Sequence, residues 1–569
     1  MPLCSTPLQK PAWSGVVFCF LVGLADLRFA SVPVDPPYEL VGLAGLDSPH
    51  GSHALMAADW PQWGGRDGRN MVSEEKGLPQ RFEPGRKSPQ GGGIDLASTG
   101  NVKWVARLGS QSYGTPTVAG GRIYVGTNDD GMQDKRLAPT QGGRLMCLDE
   151  ASGKLIWQLV VPRFDCRPRP VNFDDMNLGL CSTPMVEGER LWLVTNRCEV
   201  LCLGVRGLAA GNQGPFTDEG RYMAGPDRPP VALQPTDADI LWRYDMIGEL
   251  KVWPHDAVNC SPLVVGDLVY VCTSNGVERG HKTVVSPLAP SLIALDKRTG
   301  RLAAVDDEKI GTRLFHGQWS SPSLAVAGGR RLVLFGAGDG LLYAFEALGA
   351  VPKEPGTLRK VWWFDCNPPE YKNFGGKKFN YLSGDVRKHQ GNTNDGQFIG
   401  PSEIIATPAF YNDRVYVATG QDPAHGRGRG MLCCVDATKT GDVTASGKIW
   451  TYDRIGRSLS TVAVADGLVY AADTFEGLHC LDAETGQCCW FQPSNSEIWG
   501  SPLVADGKIY LPTKKGLMVL AAGRRRKVLA EVHLGMPEYC SPVAANGVLY
   551  VTAHRYLWAV EQKGLGIRD

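Results

Sequence analysis

The chain has 569 residues, 43% of them apolar and 21% charged, an ordinary globular composition long enough for several domains or one large repeat array. Lysine plus arginine and aspartate plus glutamate are equal at 59 each, so no global field draws the protein to nucleic acid or an anionic membrane. The 69 glycines and 15 tryptophans suit an all-β repeat fold, in which many tight turns carry a recurring aromatic.

In chain order, Lys10 precedes an apolar run from Trp13 to Ala25, too short for an ordinary transmembrane helix and matched to the core of a signal peptide. Residues 1–25 are therefore expected to direct export to the periplasm or the extracellular space; the alternative is an uncleaved N-terminal anchor. Cleavage leaves no membrane span in the mature chain, which is expected to be a monomer. Residues 26–58 are expected to form a flexible spacer and residues 59–101 a lead-in packed on the main domain, opening with Asp59-Trp60-Pro61-Gln62-Trp63.

From there a single grammar repeats: Ser or Thr, usually Pro, an apolar run, a glycine turn, an aromatic-rich run, a second turn and another apolar run. Fuller copies end with Asp, a turn closed by Gly, and a strand bearing Trp. The anchors are Thr115-Pro116, Thr183-Pro184, Ser261-Pro262, Ser321-Pro322, Thr407-Pro408, Thr461-Val462, Ser501-Pro502 and Ser541-Pro542. A period of forty residues or more predicts a propeller of eight four-stranded blades, each with strands A to D. The turns Asp149 to Gly153, Asp296 to Gly300 and Asp482 to Gly486 join C to D, with Asp bonding its own backbone and Gly taking a positive φ. Trp157, Trp242, Trp362, Trp450 and Trp490 mark strand D, where packing between blades is their first role.

The two ends complement each other. The last copy stops after its third strand, Tyr556 to Val560, whereas Val102 to Ala106 is a strand D with no A, B or C of its own. Their pairing closes a ring over 102–561 and removes an exposed edge; residues 562–569 are a tail. The run Arg524-Arg525-Arg526-Lys527 falls between strands as a solvated turn.

Sixteen cysteines do not fix the compartment. No Cys-x-x-Cys-His occurs, which excludes covalent c-type haem, and no Cys/His spacing resembles a zinc site. Cys433-Cys434 and Cys488-Cys489 lie in strand-like runs, where neighbouring side chains diverge and an internal disulfide would distort the strand.

Anchors, Asp-to-Gly turns and strand-D tryptophans together make residues 102–561 resemble the PQQ-like (pyrroloquinoline quinone) repeat family, which includes quinoprotein alcohol dehydrogenases and the outer-membrane barrel-assembly lipoprotein. The resemblance implies a propeller. It does not imply an activity, because the grammar encodes blades whether or not a quinone is bound. In the dehydrogenases PQQ lies between a Trp and usually a disulfide of adjacent cysteines, with Ca²⁺ on oxygen ligands and an Asp base; this set cannot be placed here residue by residue. The lipoprotein needs a lipidated Cys after its signal peptide, and Cys19, following Val17-Phe18, lacks that context.

Strand A is innermost, so residues just before each anchor should ring one mouth of the channel together with the D-to-A and B-to-C loops. Segments 127–142, 162–178, 273–290, 367–400 and 419–430 fall on that face by strand counting, and 204–238 on the other. The candidates at the mouth are His255, Asp256, Asn259, His316, Gln318, Trp319, Glu403, Glu497, Trp499, Glu538 and Tyr539. Singly, each reads as a solvated rim residue; together they suit a flat polar ligand or a cation. His389 and Asp395 belong to a surface loop or a lid. Two functions follow: a binding or scaffold ring for a protein, glycan or small molecule, or a PQQ- and Ca²⁺-dependent alcohol or sugar dehydrogenase with an external electron acceptor. No catalytic or metal-binding residue is assigned at this point.

Overall fold

A computed structural model describes residues 58–89, 91–163, 176–281, 283–374, 377–378 and 402–562. The export segment, the spacer up to residue 57, His389, Asp395 and the tail beyond 562 lie outside the described residues.

Eight antiparallel sheets follow one another in order A-B-C-D, covering 117–161, 185–245, 263–305, 323–365, 409–452, 463–493, 503–533 and 543–560. The last takes its strand D from Val102–Arg107, with Trp104 opposite Ala559 and Arg107 opposite Tyr556. The eight-bladed ring is thus closed by the two ends of the chain, as the partial copies require. Strands between two neighbouring blades are buried on both faces and read as continuous apolar runs, as in Leu292–Asp296. The outer strand Val102–Arg107 instead alternates buried and exposed residues.

Each element of the repeat has a bonding role. Six bonds link the anchors head to tail around the channel, the backbone N–H of one anchor donating to the hydroxyl of the next. The links are Thr183 to Ser261 (3.1 Å), Ser261 to Ser321 (2.9 Å), Thr407 to Thr461 (3.0 Å), Thr461 to Ser501 (2.9 Å), Ser501 to Ser541 (2.8 Å) and Ser541 to Thr115 (3.1 Å). Those N–H groups are buried and would otherwise be unpaired, which is why a Ser or Thr recurs there. Strand-D indoles dock on the C-to-D turn of the following blade: Trp104 donates to Glu150, Trp242 to Lys297, Trp450 to Ala483 and Trp490 to Gly523. The turn glycine lies flat against the ring. Gly153 has φ +69° and a Cβ there would sit 2.5 Å from Trp104; Gly300 and Trp242 repeat the contact.

The chain also covers its own outer edges. Part of a C-to-D connection pairs in parallel with strand D of the preceding blade: Asp237 on Gln158, Gly356–Thr357 on Ala304 and Val305, and Gly441–Asp442 on Trp362 and Trp363. This blocks edge-to-edge association. It also corrects the placement of 204–238, which leaves from the face opposite the loops but does not stay there. Its helix Glu219–Ala224 buries Tyr222 and Met223, and the Tyr222 hydroxyl donates to Glu199 at the looped end of its strand. Arg136, in a B-to-C loop, pairs with Asp237 and donates to Ala232. A turn of this length with its own apolar stripe has to find a wall, and it climbs the outside of blade 1.

Cys433 and Cys434 face different layers, one packed between blades 4 and 5 and the other between blades 5 and 6. Their side chains diverge as extended strand demands.

Candidate functional site

Residues 58–82 decide which end of the channel is open. They cross the A strands on the side of the A-to-B turns, with Trp60 bridging Val118, Asp67 accepting from Leu324, Gly68 from Phe410, and Val72 bridging Val504. Arg69, wholly buried, donates to the carbonyls of Pro262, Pro322 and Trp63. That guanidinium closes the far end of the channel. Inside remains a cavity of about 160 Å³ lined by all eight anchors, with Trp63 from the lead-in and Trp319, Trp499, Tyr113 and Tyr539 at the looped mouth.

Two clusters stand at this mouth. Over blades 7, 8 and 1, Tyr539 stacks on Trp499 at 4.3 Å and on Tyr113 at 5.7 Å, and His554 tilts against both tyrosines. Over blades 3 to 5, imidazoles converge. His255 precedes the third anchor, His316 the fourth, and His281 comes from the B-to-C loop of blade 3. The His281 Nε2 lies 3.0 Å from the Nε2 of His255 and 3.3 Å from that of His316. His425, from the B-to-C loop of blade 5, packs its ring 4.7 Å from that of His316.

Carboxylates surround these rings. Asp256 Oδ2 is 3.5 Å from His255 Nε2, and Glu403 Oε1 is 3.7 Å from His316 Nδ1. Burial lowers His255 to about 4 and holds His316 well below the ordinary histidine range, with neighbouring imidazoles adding repulsion. Both rings are therefore neutral at pH 7 and carry a free lone pair. Burial pushes Glu403 well above the carboxylate range, with Asp422 adding to it, and burial raises Asp422 too.

The eleven residues selected from sequence divide sharply. His255, Asp256, His316 and Glu403 meet in one cluster. Trp499 and Tyr539 form the aromatic stack, and Asn259 and Trp319 line the cavity between. Gln318 is buried and donates to the Asn275 carbonyl and Ser291 hydroxyl, a structural tie between loops. Glu497 pairs with Lys514 at 2.9 Å on the rim. The reading of solvated rim residues is corrected for six of the eleven: His255, His316, Gln318, Trp319, Glu403 and Glu538 are all buried. Glu538 is the extreme, fully buried with both carboxylate oxygens unpartnered among the described residues, and burial raises it well above the carboxylate range. Gln318 and Glu538 stand three residues before their anchors, a place buried in every copy of the repeat.

His281, Asp422 and His425 were missed. Their loops were placed on the right face, and a histidine in such a loop was the available signal. No linear spacing relates His255, His281 and His316, so a search for zinc-like motifs passes over them.

The fit of a quinone can be judged from these residues. A PQQ site of the dehydrogenase type takes an oxygen-only cation set and a slot between a Trp and usually a disulfide of adjacent cysteines. Among the described residues both adjacent cysteine pairs are free thiols, Trp499 is already stacked on Tyr539, and the donors that converge include three imidazole nitrogens. The residues present do not fit that cofactor.

Ring closure, the anchor bonds and the docked tryptophans define an eight-bladed propeller of the PQQ-like type. The chain belongs to the family described as outer membrane protein assembly factor BamB, whose profile matches residues 94–163, 131–354 and 442–529, together more than half of the chain. Among solved structures, a europium-containing methanol dehydrogenase superposes with a TM-score of 0.52 at 12% identity, covering 88% of this chain and 90% of that one. BamB from Moraxella catarrhalis gives 0.46 at 12% identity, with coverages of 81% and 97%. Quinohemoprotein alcohol dehydrogenase from Comamonas testosteroni gives 0.46 at 14%, with 90% and 82%. No curated protein matches the sequence. Among the described residues no helix is long and apolar enough to cross a membrane.

Proposed function

We propose that this protein is an exported binding propeller, which presents its looped mouth to a protein, glycan or small-molecule ligand and does not carry out quinone-dependent oxidation. The observation that carries the reading is the asymmetry of the channel. The lead-in seals one end with Arg69 and Trp63, while the other gathers histidines, carboxylates and stacked aromatics, several of them buried and short of hydrogen-bond partners. Such unmet polar capacity is costly unless a ligand uses it. Export is supported by the apolar run at Trp13 to Ala25 and by membership of a family described for outer membrane assembly.

The test has two arms. Incubation with PQQ and Ca²⁺ followed by gel filtration should leave no quinone absorbance and no alcohol-dependent dye reduction; retained quinone with dye reduction would favour the dehydrogenase reading instead. A photo-crosslinking amino acid placed at exposed Arg427 or Lys514 on the looped face should capture the ligand in the native cell, and one at Arg298 on the opposite face should not. Adducts only from Arg298 would sink the proposal.

A further inference from the structure

We propose that His255, His281 and His316 form a binding site for one divalent first-row transition-metal ion, with Asp256 as the carboxylate that completes the donor set. The inference rests on the looped mouth being the ligand-binding face, and it names the chemical class of one ligand held there.

Spacing is the first argument. Nitrogen ligands about 2.0–2.1 Å from a common ion lie roughly 2.9 Å apart at a right angle and about 3.4 Å apart at the tetrahedral angle. The Nε2 separations of 3.0 Å and 3.3 Å fall inside that interval, and the Asp256 oxygen at 3.5 Å from His255 Nε2 lies at its outer edge. All three histidines and no other described cluster bring ligand atoms this close, within 4.8 Å of one another.

Hydrogen bonding among the rings does not account for the arrangement. His255 Nδ1 lies 2.9 Å from the Val277 carbonyl, so Nδ1 carries the proton and Nε2 is a bare lone pair. His281 Nε2 then holds at most one proton for two short contacts, to His255 and to His316. In every tautomer at most one of the two contacts is a linear hydrogen bond, and the other is left unmet. An ion at the convergence point satisfies all three nitrogens at once.

The surroundings match what a ligated imidazole needs. Ligation through Nε2 fixes the proton on Nδ1, where a carbonyl or carboxylate should receive it. His255 has Val277 for this, and His316 Nδ1, otherwise unpartnered among the described residues, faces Glu403. The carboxyl groups of Asp256 and Glu403 stand 3.5 Å and 3.7 Å from ring nitrogens of His255 and His316. Asp256 and His281 both hold left-handed backbone, with φ of 52° and 55°. Asp and His take this conformation more readily than most residues, so the loops reach it without glycine.

Three imidazoles and one carboxylate select a borderline ion such as Zn²⁺, Fe²⁺ or Co²⁺ over Ca²⁺ or Mg²⁺, which take oxygen. This is a different chemistry from a hard cation beneath a quinone.

The experiment uses the full chain, stripped with a chelator, dialysed and loaded with Zn²⁺ or Co²⁺. One ion per chain should remain after gel filtration, Co²⁺ should give visible d–d absorption, and millimolar Ca²⁺ should not displace either. His281→Ala is the chosen variant because its side chain is only half-buried on a loop. Its metal-free melting temperature should stay within about 2 °C of wild type, while Zn²⁺ affinity falls roughly 100-fold and Asp256→Asn costs about 10-fold. A wild-type chain that retains neither Zn²⁺ nor Co²⁺, or a folded His281→Ala that binds as tightly as wild type, overturns the site. Crosslinks at the looped face without metal uptake would reject the metal and leave the binding reading standing; metal uptake with adducts only from Arg298 would do the reverse.

Discussion

Blades 6 and 7 and blades 3 to 5 are built on one plan and differ in what hangs from it. In blade 7 the B and C strands, Lys508–Thr513 and Gly516–Ala521, are joined by Lys514 and Lys515 alone. In blade 3 the same join runs from Cys272 to Leu292, and in blade 5 from Ala418 to Leu432. Anchor bonds and docked tryptophans recur in both regions, Ser261 to Ser321 and Trp362 to Ala437 in one, Ser501 to Ser541 and Trp490 to Gly523 in the other. The short blades show that this grammar suffices for folding, so the extra chain in blades 3 to 5 has to be explained by what it carries, and it carries His281, Asp422 and His425.

The comparison breaks first if the frame is not shared. Deleting residues 59–108 removes both the lead-in and the closing strand, and should abolish cooperative thermal unfolding by circular dichroism; an unchanged transition would mean the ring does not depend on its closure. Next, Gly300→Ala in the elaborated region and Gly486→Ala in the plain one should each destabilise by about 2–4 kcal/mol, since each adds a Cβ at positive φ against an indole. Chemical denaturation showing the loss in only one of the two would end the claim of a common frame. Ser541→Ala strips the acceptor from the Ser501 N–H and should cost about 1–3 kcal/mol, read the same way. Smallest is Glu497→Gln, an exposed ion pair with Lys514, which should stay within about 0.5 kcal/mol of wild type and leave Zn²⁺ uptake intact.

The fold was legible because its rules are local and repeated. Thr115 and Ser541 look alike in sequence because they do the same thing in space, and the half blades at Val102 and Tyr556 announce each other. The site was legible only in part. His255 and His316 stand before anchors, where position predicts the mouth, but His281 reaches them from a loop with no repeated pattern. Burial was the larger error: Glu538 stands three residues before its anchor, a place buried in every copy, whereas Glu497 stands four before its own and lies on the rim beside Lys514. A one-residue offset separates the sealed side chain from the rim one, and counting back from each anchor reports it.

The closing strand carries a kinetic consequence. Val102–Arg107 comes early in the chain, yet every partner it pairs with belongs to Tyr556–Val560, at the other end. The lead-in before it must likewise find A strands scattered from blade 1 to blade 7. These are contacts of the longest sequence separation, and their loop-closure entropy comes due before their energy is gained. During synthesis and refolding the first blades therefore stand with an open flank, and the start of the chain waits unpaired until the last three strands arrive. Refolding should be slow, with ring closure its final event.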